Sequence, residues 1–206
     1  MFVESIFKEE RVEEIQRLMK TFPLASIVAH TNEGLVAEHL PLMLRDDQTL
    51  FGHMALNNAL YSNPILNNQV MCIFKGDDAY ISANDYPSKF VDHQKVPTWN
   101  YQVVHIYGEI NFFSDQKSKL AVLGKLTKQQ EQQTNGDQAW KMADAPKDYL
   151  MQMLEHLVAF EIKISKVIAK SKLSQNKDTQ DFDNVVLQLK QRGKAELAAR
   201  MLALKT

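Results

Sequence analysis

The spacing of apolar residues changes along the chain, and each change marks an element. Val12, Ile15, Leu18, Met19 and Phe22 recur at three- and four-residue steps, which predicts a helix over residues 8–21. Pro23 closes it, because proline disfavours the helical conformation in the residue before it. Leu24 to Thr31 predicts a strand, Asn32-Glu33-Gly34 a short turn, and Leu35 to Leu44 the returning strand. Gly34 is free to take positive φ in that turn. Arg45-Asp46-Asp47-Gln48 predicts a second turn and Thr49 to Met54 a third strand. Strands joined by such short links form an antiparallel meander.

Asn57 to Asn63 predicts a helical turn. Gln69 to Lys75 and Ala79 to Ser82 predict two strands around a turn at Lys75-Gly76-Asp77-Asp78. Tyr86 to Lys95 reads as a polar loop, and Val96 to Phe113 as a long strand with a bend at Gly108. Ser114 is an N-cap candidate for a helix running to about Gln133. Pro146 suits the first turn of a helix carrying Tyr149, Leu150, Met153, Leu154 and Leu157. Phe160, Ile162 and Ile164 alternate with polar residues, the period of a half-buried strand. Lys172 to Gln180 is polar. Phe182 to Gln191 and Lys194 to Leu204 predict two short helices around Gly193.

Six or seven strands, joined by hairpin turns rather than helical crossovers, predict the α+β class: an antiparallel barrel with peripheral helices. Closure removes exposed edges, although an open sheet covered by helices would carry the same pattern.

Composition narrows the function. The chain has 206 residues, 45% hydrophobic and 24% charged, enough apolar material for one core. Its 7 glycines are too sparse and too scattered for a dinucleotide-binding turn or a phosphate-binding P-loop. With 24 basic and 25 acidic residues, a DNA contact would need a local basic patch. The single cysteine, Cys72, excludes an internal disulfide and fits a reducing compartment. No apolar run approaches the ~20 residues needed to span a bilayer. The acidic N-terminal stretch lacks a signal-peptide core. A cytoplasmic protein without membrane contact is expected.

Candidate chemistry gathers in three stretches. The six histidines form no metal-ligand spacing, so no metal is expected. His53 ends a strand just before a helical turn at Asn57-Asn58, where free backbone N–H groups would suit a phosphate; Asn57 could equally be an N-cap. Pro97-Thr98-Trp99-Asn100-Tyr101 sets aromatic rings beside a hydroxyl and an amide. That could be a wall for a planar ligand or an ordinary strand. Lys172-Leu173-Ser174-Gln175-Asn176 follows the last strand, with Lys163, Lys166, Lys170 and Lys177 around it. Either a solvated basic face or a site for an anionic, hydrogen-bonding ligand explains it. No Ser-His-Asp set, carboxylate pair or activated cysteine is evident, so no catalytic residue is assigned.

Several stretches together resemble the PaiB-type proteins, FMN-binding split-barrel negative transcriptional regulators. They are Met1-Phe2-Val3, Glu38-His39-Leu40-Pro41, Gly52-His53-Met54-Ala55 and Asp78-Ala79-Tyr80-Ile81-Ser82. Further along come Tyr86-Pro87-Ser88-Lys89, Val96 to Tyr101, Trp140-Lys141, Asp144-Ala145-Pro146 and Lys172 to Asn176. Their order and spacing carry the resemblance. It implies a split barrel over residues 1–180, with 181–206 a helical tail packed on the same domain. It also implies a homodimer with FMN in a groove between protomers. His53, Asn57 and Asn58 would lie near the FMN phosphate. Thr98, Trp99, Asn100, Lys172, Ser174, Gln175 and Asn176 would face the cofactor. Two departures stand out. Ala83 and Asp85 stand near where the resemblance leads one to expect a proline and an aromatic after Ser82, and Asn57 and Asn58 stand where related barrels often carry Arg or Lys.

The resemblance implies a flavin- or metabolite-sensing negative regulator of transcription. Lys190, Arg192, Lys194, Arg200 and Lys205 are candidate phosphate contacts for DNA. The alternative is an FMN-dependent oxidoreductase related to the pyridoxamine-phosphate oxidases, where the flavin would do the chemistry. A haem-binding relative, with His39, His53 or His93 as axial ligand, is a third possibility.

Overall fold

The structure is a computed structural model, and it describes residues 1–46 and 48–204. Asp47 of the second expected turn and Lys205 of the basic tail lie outside the described residues. Helix α1 spans Val12–Thr21, with Glu13 and Glu14 in its first turn and Lys20 in its last, the order that suits the helix dipole. The strands are β1 (Leu24–Thr31), β2 (Gly34–Pro41), β3 (Met43–Asp46), β4 (Thr49–Ala55), β5 (Ile65–Ile81), β6 (Thr98–Phe113) and β7 (Leu157–Lys172). The remaining helices are α2 (Ala59–Ser62), α3 (Lys89–Asp92), α4 (Gln116–Asn135), α5 (Lys147–Glu155), α6 (Thr179–Gln191) and α7 (Ala195–Leu202). Seven antiparallel strands follow the order β2-β1-β5-β6-β7-β4-β3, so the α+β expectation holds.

Several local expectations change, among them the loop over Tyr86 to Lys95, which carries α3, and Leu157, which opens β7 rather than ending α5. The returning strand is two strands, because after Pro41 the chain turns Leu42 inward and its N–H donates to the Pro23 carbonyl at 2.9 Å. The turn at Lys75 to Asp78 is absent: β5 runs straight through it. Gly76 is there for close approach, since a Cβ would stand 3.3 Å from Leu18 and 3.5 Å from Gln102. The cap of α4 is Asp115, which accepts from Ser118 N, and not Ser114. Strand β7 continues to Lys172, eight residues past Ile164, although its second half is rich in lysine and serine.

The chain forms two compact units. The first comprises Met1–Thr21, Lys75–His105 and Ile168–Thr206. Its core packs Ala79, Ile81, Tyr86 and Leu173 against Phe182, Val185 and Leu189 of α6 and Leu197, Ala198 and Met201 of α7. A buried polar layer joins α1 to the strands: Gln102 donates to Glu14 (2.8 Å) and Ser171 (2.9 Å), and Ser171 donates to Glu9 (2.8 Å).

The second unit comprises Phe22–Phe74 and Ile106–Val167. Its strands alternate as expected, with Ala25, Ile27 and Ala29 of β1 inward. Glycine permits two tight approaches there. A Cβ on Gly52 would stand 2.6 Å from the Phe160 ring, and one on Gly108 would stand 2.4 Å from the Lys163 carbonyl oxygen.

Candidate functional site

In the second unit, β4 carries His53 opposite Ala159 of β7. The ring is partly buried, and its Nδ1 has no hydrogen-bond partner. Burial holds its pKa below the usual histidine value, which favours the neutral imidazole. Asn57 is exposed in the turn after β4. Asn58 is the N-cap of α2, its side-chain oxygen accepting from Leu60 N at 2.9 Å. Its oxygen therefore serves the helix.

In the first unit, β6 begins with Thr98 and Trp99. The Trp99 ring is 52% exposed and meets the half-exposed Tyr80 ring edge-on, with centroids 5.9 Å apart. Trp99 and Tyr101 share one face of β6 and, with Lys75 and Asp78, line an open cleft of about 450 Å³. Lys172 ends β7 and donates from Nζ to Thr98 Oγ1 at 2.6 Å. Thr98, Trp99 and Lys172 therefore offer a hydroxyl, an indole and an ammonium within one unit.

Asn100, Ser174 and Gln175 are used internally. Asn100 is fully buried and exchanges hydrogen bonds with Ser174, at 2.9 and 3.1 Å. Ser174 sits at φ 62°, a left-handed conformation that this pairing helps to hold. Gln175 accepts from Leu173 N (2.7 Å) and donates to the Ser171 carbonyl (2.6 Å), closing the turn after β7. Asn176 is exposed.

The sequence leaves Lys170 either on a solvated basic face or near a site for an anionic ligand. The structure buries it to 6% exposure, with Nζ 5.8 Å from the ring centres of Phe2, Phe7 and Tyr101. The usable signal was its register: Lys170 and Lys172 are two apart on a strand, so they share a face. Two of the basic residues considered for DNA are engaged within the chain. Arg192 pairs with Asp85, and Arg200 with Glu14 and Glu196. Among the described residues no three His, Cys, Asp or Glu side chains are grouped to hold a metal ion. No described helix is long and apolar enough to cross a membrane.

The family model described as "Putative FMN-binding domain" matches residues 1–166. The chain belongs to this PaiB-type FMN-binding family. A relative from Bacillus subtilis (strain 168), "Protease synthase and sporulation protein PAI 2", is 32% identical over 193 residues, 92% of this chain and 89% of the relative. Among solved structures, a conserved hypothetical protein from Mycobacterium tuberculosis matches with TM-score 0.61 and 10% identity, covering 86% of this chain and 94% of that one. The FAD and haem binding protein from Mycobacterium smegmatis matches with TM-score 0.59 and 14% identity, covering 88% and 79%. At such identities these structures bear on the fold, which is of the FMN-binding split-barrel type.

The first-unit face suits an FMN-like group in kind. Trp99 and Tyr101 offer flat apolar surface, and Lys172 and Thr98 offer donors for an anion. In the second unit, the unpaired Nδ1 of His53 is a buried polar atom lacking a partner, as expected of a group that meets a ligand.

Proposed function

We propose that the chain binds FMN non-covalently as a homodimer in the cytoplasm and uses it to control transcription negatively, not to turn over a substrate. The observation that carries this reading is the exposed Trp99–Tyr80 pair beside the Lys172–Thr98 contact; Tyr80, Thr98 and Trp99 lie within the matched residues 1–166. Adjacent exposed aromatics flanked by donors form the kind of patch that a planar ligand can cover. When bound, FMN would supply redox chemistry and a visible chromophore. The chain's own residues would stack and orient it. Thr98, Trp99 and Lys172 are the first-unit contacts in this proposal, with Asn176 beside them. Asn100, Ser174 and Gln175 support them by holding the turn. His53 and Asn57 are separate candidates within the second unit, and Asn58 shapes their turn. The Bacillus relative's name, which concerns protease synthesis and sporulation, favours control over catalysis. Any DNA contact through the tail would draw on Lys190 and Lys194.

The deciding experiment is FMN titration of the purified protein, following flavin and tryptophan fluorescence. Quenching of both is expected, and Trp99→Ala should weaken FMN binding by about five- to thirtyfold, a loss of roughly 1–2 kcal/mol of stacking. Unchanged FMN affinity in Trp99→Ala would remove the proposed site. Steady oxidation of NADH by the loaded protein would favour an oxidoreductase instead.

A further inference from the structure

Lys170 is a buried cation in the first unit, and a buried ammonium requires counter-charge. Its Nζ donates to Glu4 Oε2 at 2.8 Å and approaches the Phe2 carbonyl at 3.5 Å. The segment supplying that carboxylate lies at the surface, with Glu4 at the start of a short 3-10 turn over Ser5–Phe7. Phe2 is 78% and Ile6 51% exposed, and the Glu4 side chain is 44% exposed. Firm anchoring begins at Phe7, which is buried, and continues through a bridge between Lys8 and Lys170 and a Glu9 N–H bond to the Ala169 carbonyl at 3.1 Å.

Lys172 lies on the same face of β7. Its Nζ is 5.8 Å from the Phe7 ring centre, as is that of Lys170, and its hydrogen bond goes to the neutral Thr98 hydroxyl. Among the described residues Glu4 is the carboxylate in ion-pair contact with this lysine pair. Lys170 thus pairs with one half-exposed carboxylate while Lys172 bonds a neutral hydroxyl, which leaves the two ammonium groups short of negative charge.

We infer that Lys170, Lys172 and Thr98 form a binding site for a phosphate monoester, and that Glu4 is an internal carboxylate which this ligand displaces. A phosphate monoester carries roughly −1.5 to −2 charge at neutral pH and three acceptor oxygens. It can answer both ammonium groups and the hydroxyl, where Glu4 brings a single charge. Tyr101 also lines the cleft with Trp99, so a planar group attached to the phosphate has a surface to lie on. FMN is one such carrier, and to that extent the inference rests on the flavin reading. A second phosphorylated metabolite is the other source.

The test uses the full chain and three probes: inorganic phosphate, FMN and riboflavin. Calorimetry should show inorganic phosphate binding to the wild type, about two- to fivefold tighter in Glu4→Gln, the worth of an ion pair whose carboxylate is open to solvent. Binding should be lost in Lys170→Met, with Lys172→Met as the companion variant on a less buried side chain. Phosphate should also speed hydrogen exchange at residues 2–6. Equal phosphate affinity in wild type and Glu4→Gln would overturn the inference, as would binding that survives both lysine substitutions. If Glu4→Gln raises the preference for FMN over riboflavin by the same factor, the anion is the flavin's own phosphate. If phosphate responds and that preference does not, the site serves a separate phosphorylated ligand. Failure of both flavins to bind, with the phosphate response intact, would sink the flavin reading and leave this site standing.

Discussion

Arg192 grips Asp85 with both prongs of its guanidinium: Nη1 donates to Oδ2 at 2.8 Å and Nη2 to Oδ1 at 2.6 Å, across 107 residues of sequence. The same carboxylate accepts from Ser82 N, and Asn184 donates to the Asp85 carbonyl. One residue therefore ties the end of β5 to α6. A neighbouring bond does similar work, with Ser88 Oγ donating to buried Asp181 at 2.6 Å. Asp85→Ala is expected to destabilise the protein by about 2–3 kcal/mol, because it strips a buried cluster of its acceptor. Arg192→Ala should cost less, since the guanidinium is 44% exposed and Asp85 keeps its Ser82 N–H donor. Urea unfolding of the two variants checks the order.

Acid should loosen the polar layer under α1. Burial raises the pKa of Glu9, but hydrogen bonds from Arg11 and Ser171 more than offset it, and the net shift is below 4.5. Glu14 behaves likewise, with Arg17 and Gln102 as donors. Both carboxylates are thus easier to protonate in the unfolded chain. Their contribution is present above about pH 4.5 and disappears as pH falls through the lower folded values. The urea midpoint is expected to drop between about pH 5 and about pH 3. Glu9→Gln should lower it at neutral pH and flatten that drop. A wild-type midpoint indifferent to acid would contradict this account.

The two tight glycines should differ in kind from the others. A Cβ at Gly108 meets a backbone oxygen, which cannot rotate away, so β6 or β7 must shift. Gly108→Ala is expected to cost about 1–3 kcal/mol. Gly52→Ala meets the Phe160 ring and the Leu42 side chain, both fully buried, and should fall in the same range. A Cβ at Gly124 meets nothing closer than Met142 sulfur at 3.7 Å. Gly124→Ala, inside α4, should stabilise by about 0.5–1 kcal/mol. Thermal melts of the three variants separate the cases.

Cys72 should report on global unfolding. Its side chain is fully buried, and burial pushes the thiol pKa up to about 12, so little thiolate exists at neutral pH. A thiol-specific disulfide reagent is expected to label the native protein only at the rate of unfolding. Prompt native-state labelling would mean that the second unit opens locally around β5.

Much of the strand pattern could be read from the chain. Leu24–Thr31 occurs as expected, because alternation on a half-buried strand depends only on residue order. Helices α1, α4, α6 and α7 also occur close to where they are expected, although Asp115 and not Ser114 caps α4. The continuity of β5 was hidden, because Lys75-Gly76-Asp77-Asp78 has turn composition whether or not it turns. The glycine was needed to admit Leu18 and Gln102, residues far away in sequence. The far half of β7 was hidden for a related reason: its lysines and serines find partners on other segments, so no apolar alternation marks it.

The candidate site divides the same way. Local order alone singled out Trp99, Thr98 and Lys172, since aromatic, hydroxyl and ammonium groups announce their chemistry wherever they sit. Whether each group is available depends on what the folded chain brings against it. Pairing consumes Asn100 and Ser174, capping consumes Asn58, and burial turns Lys170 from a solvated lysine into a cation that needs an anion. Residue order determines which groups the protein owns and the periodicity of its elements. Contacts between distant segments decide which of those groups are spent on the fold and which remain for a ligand.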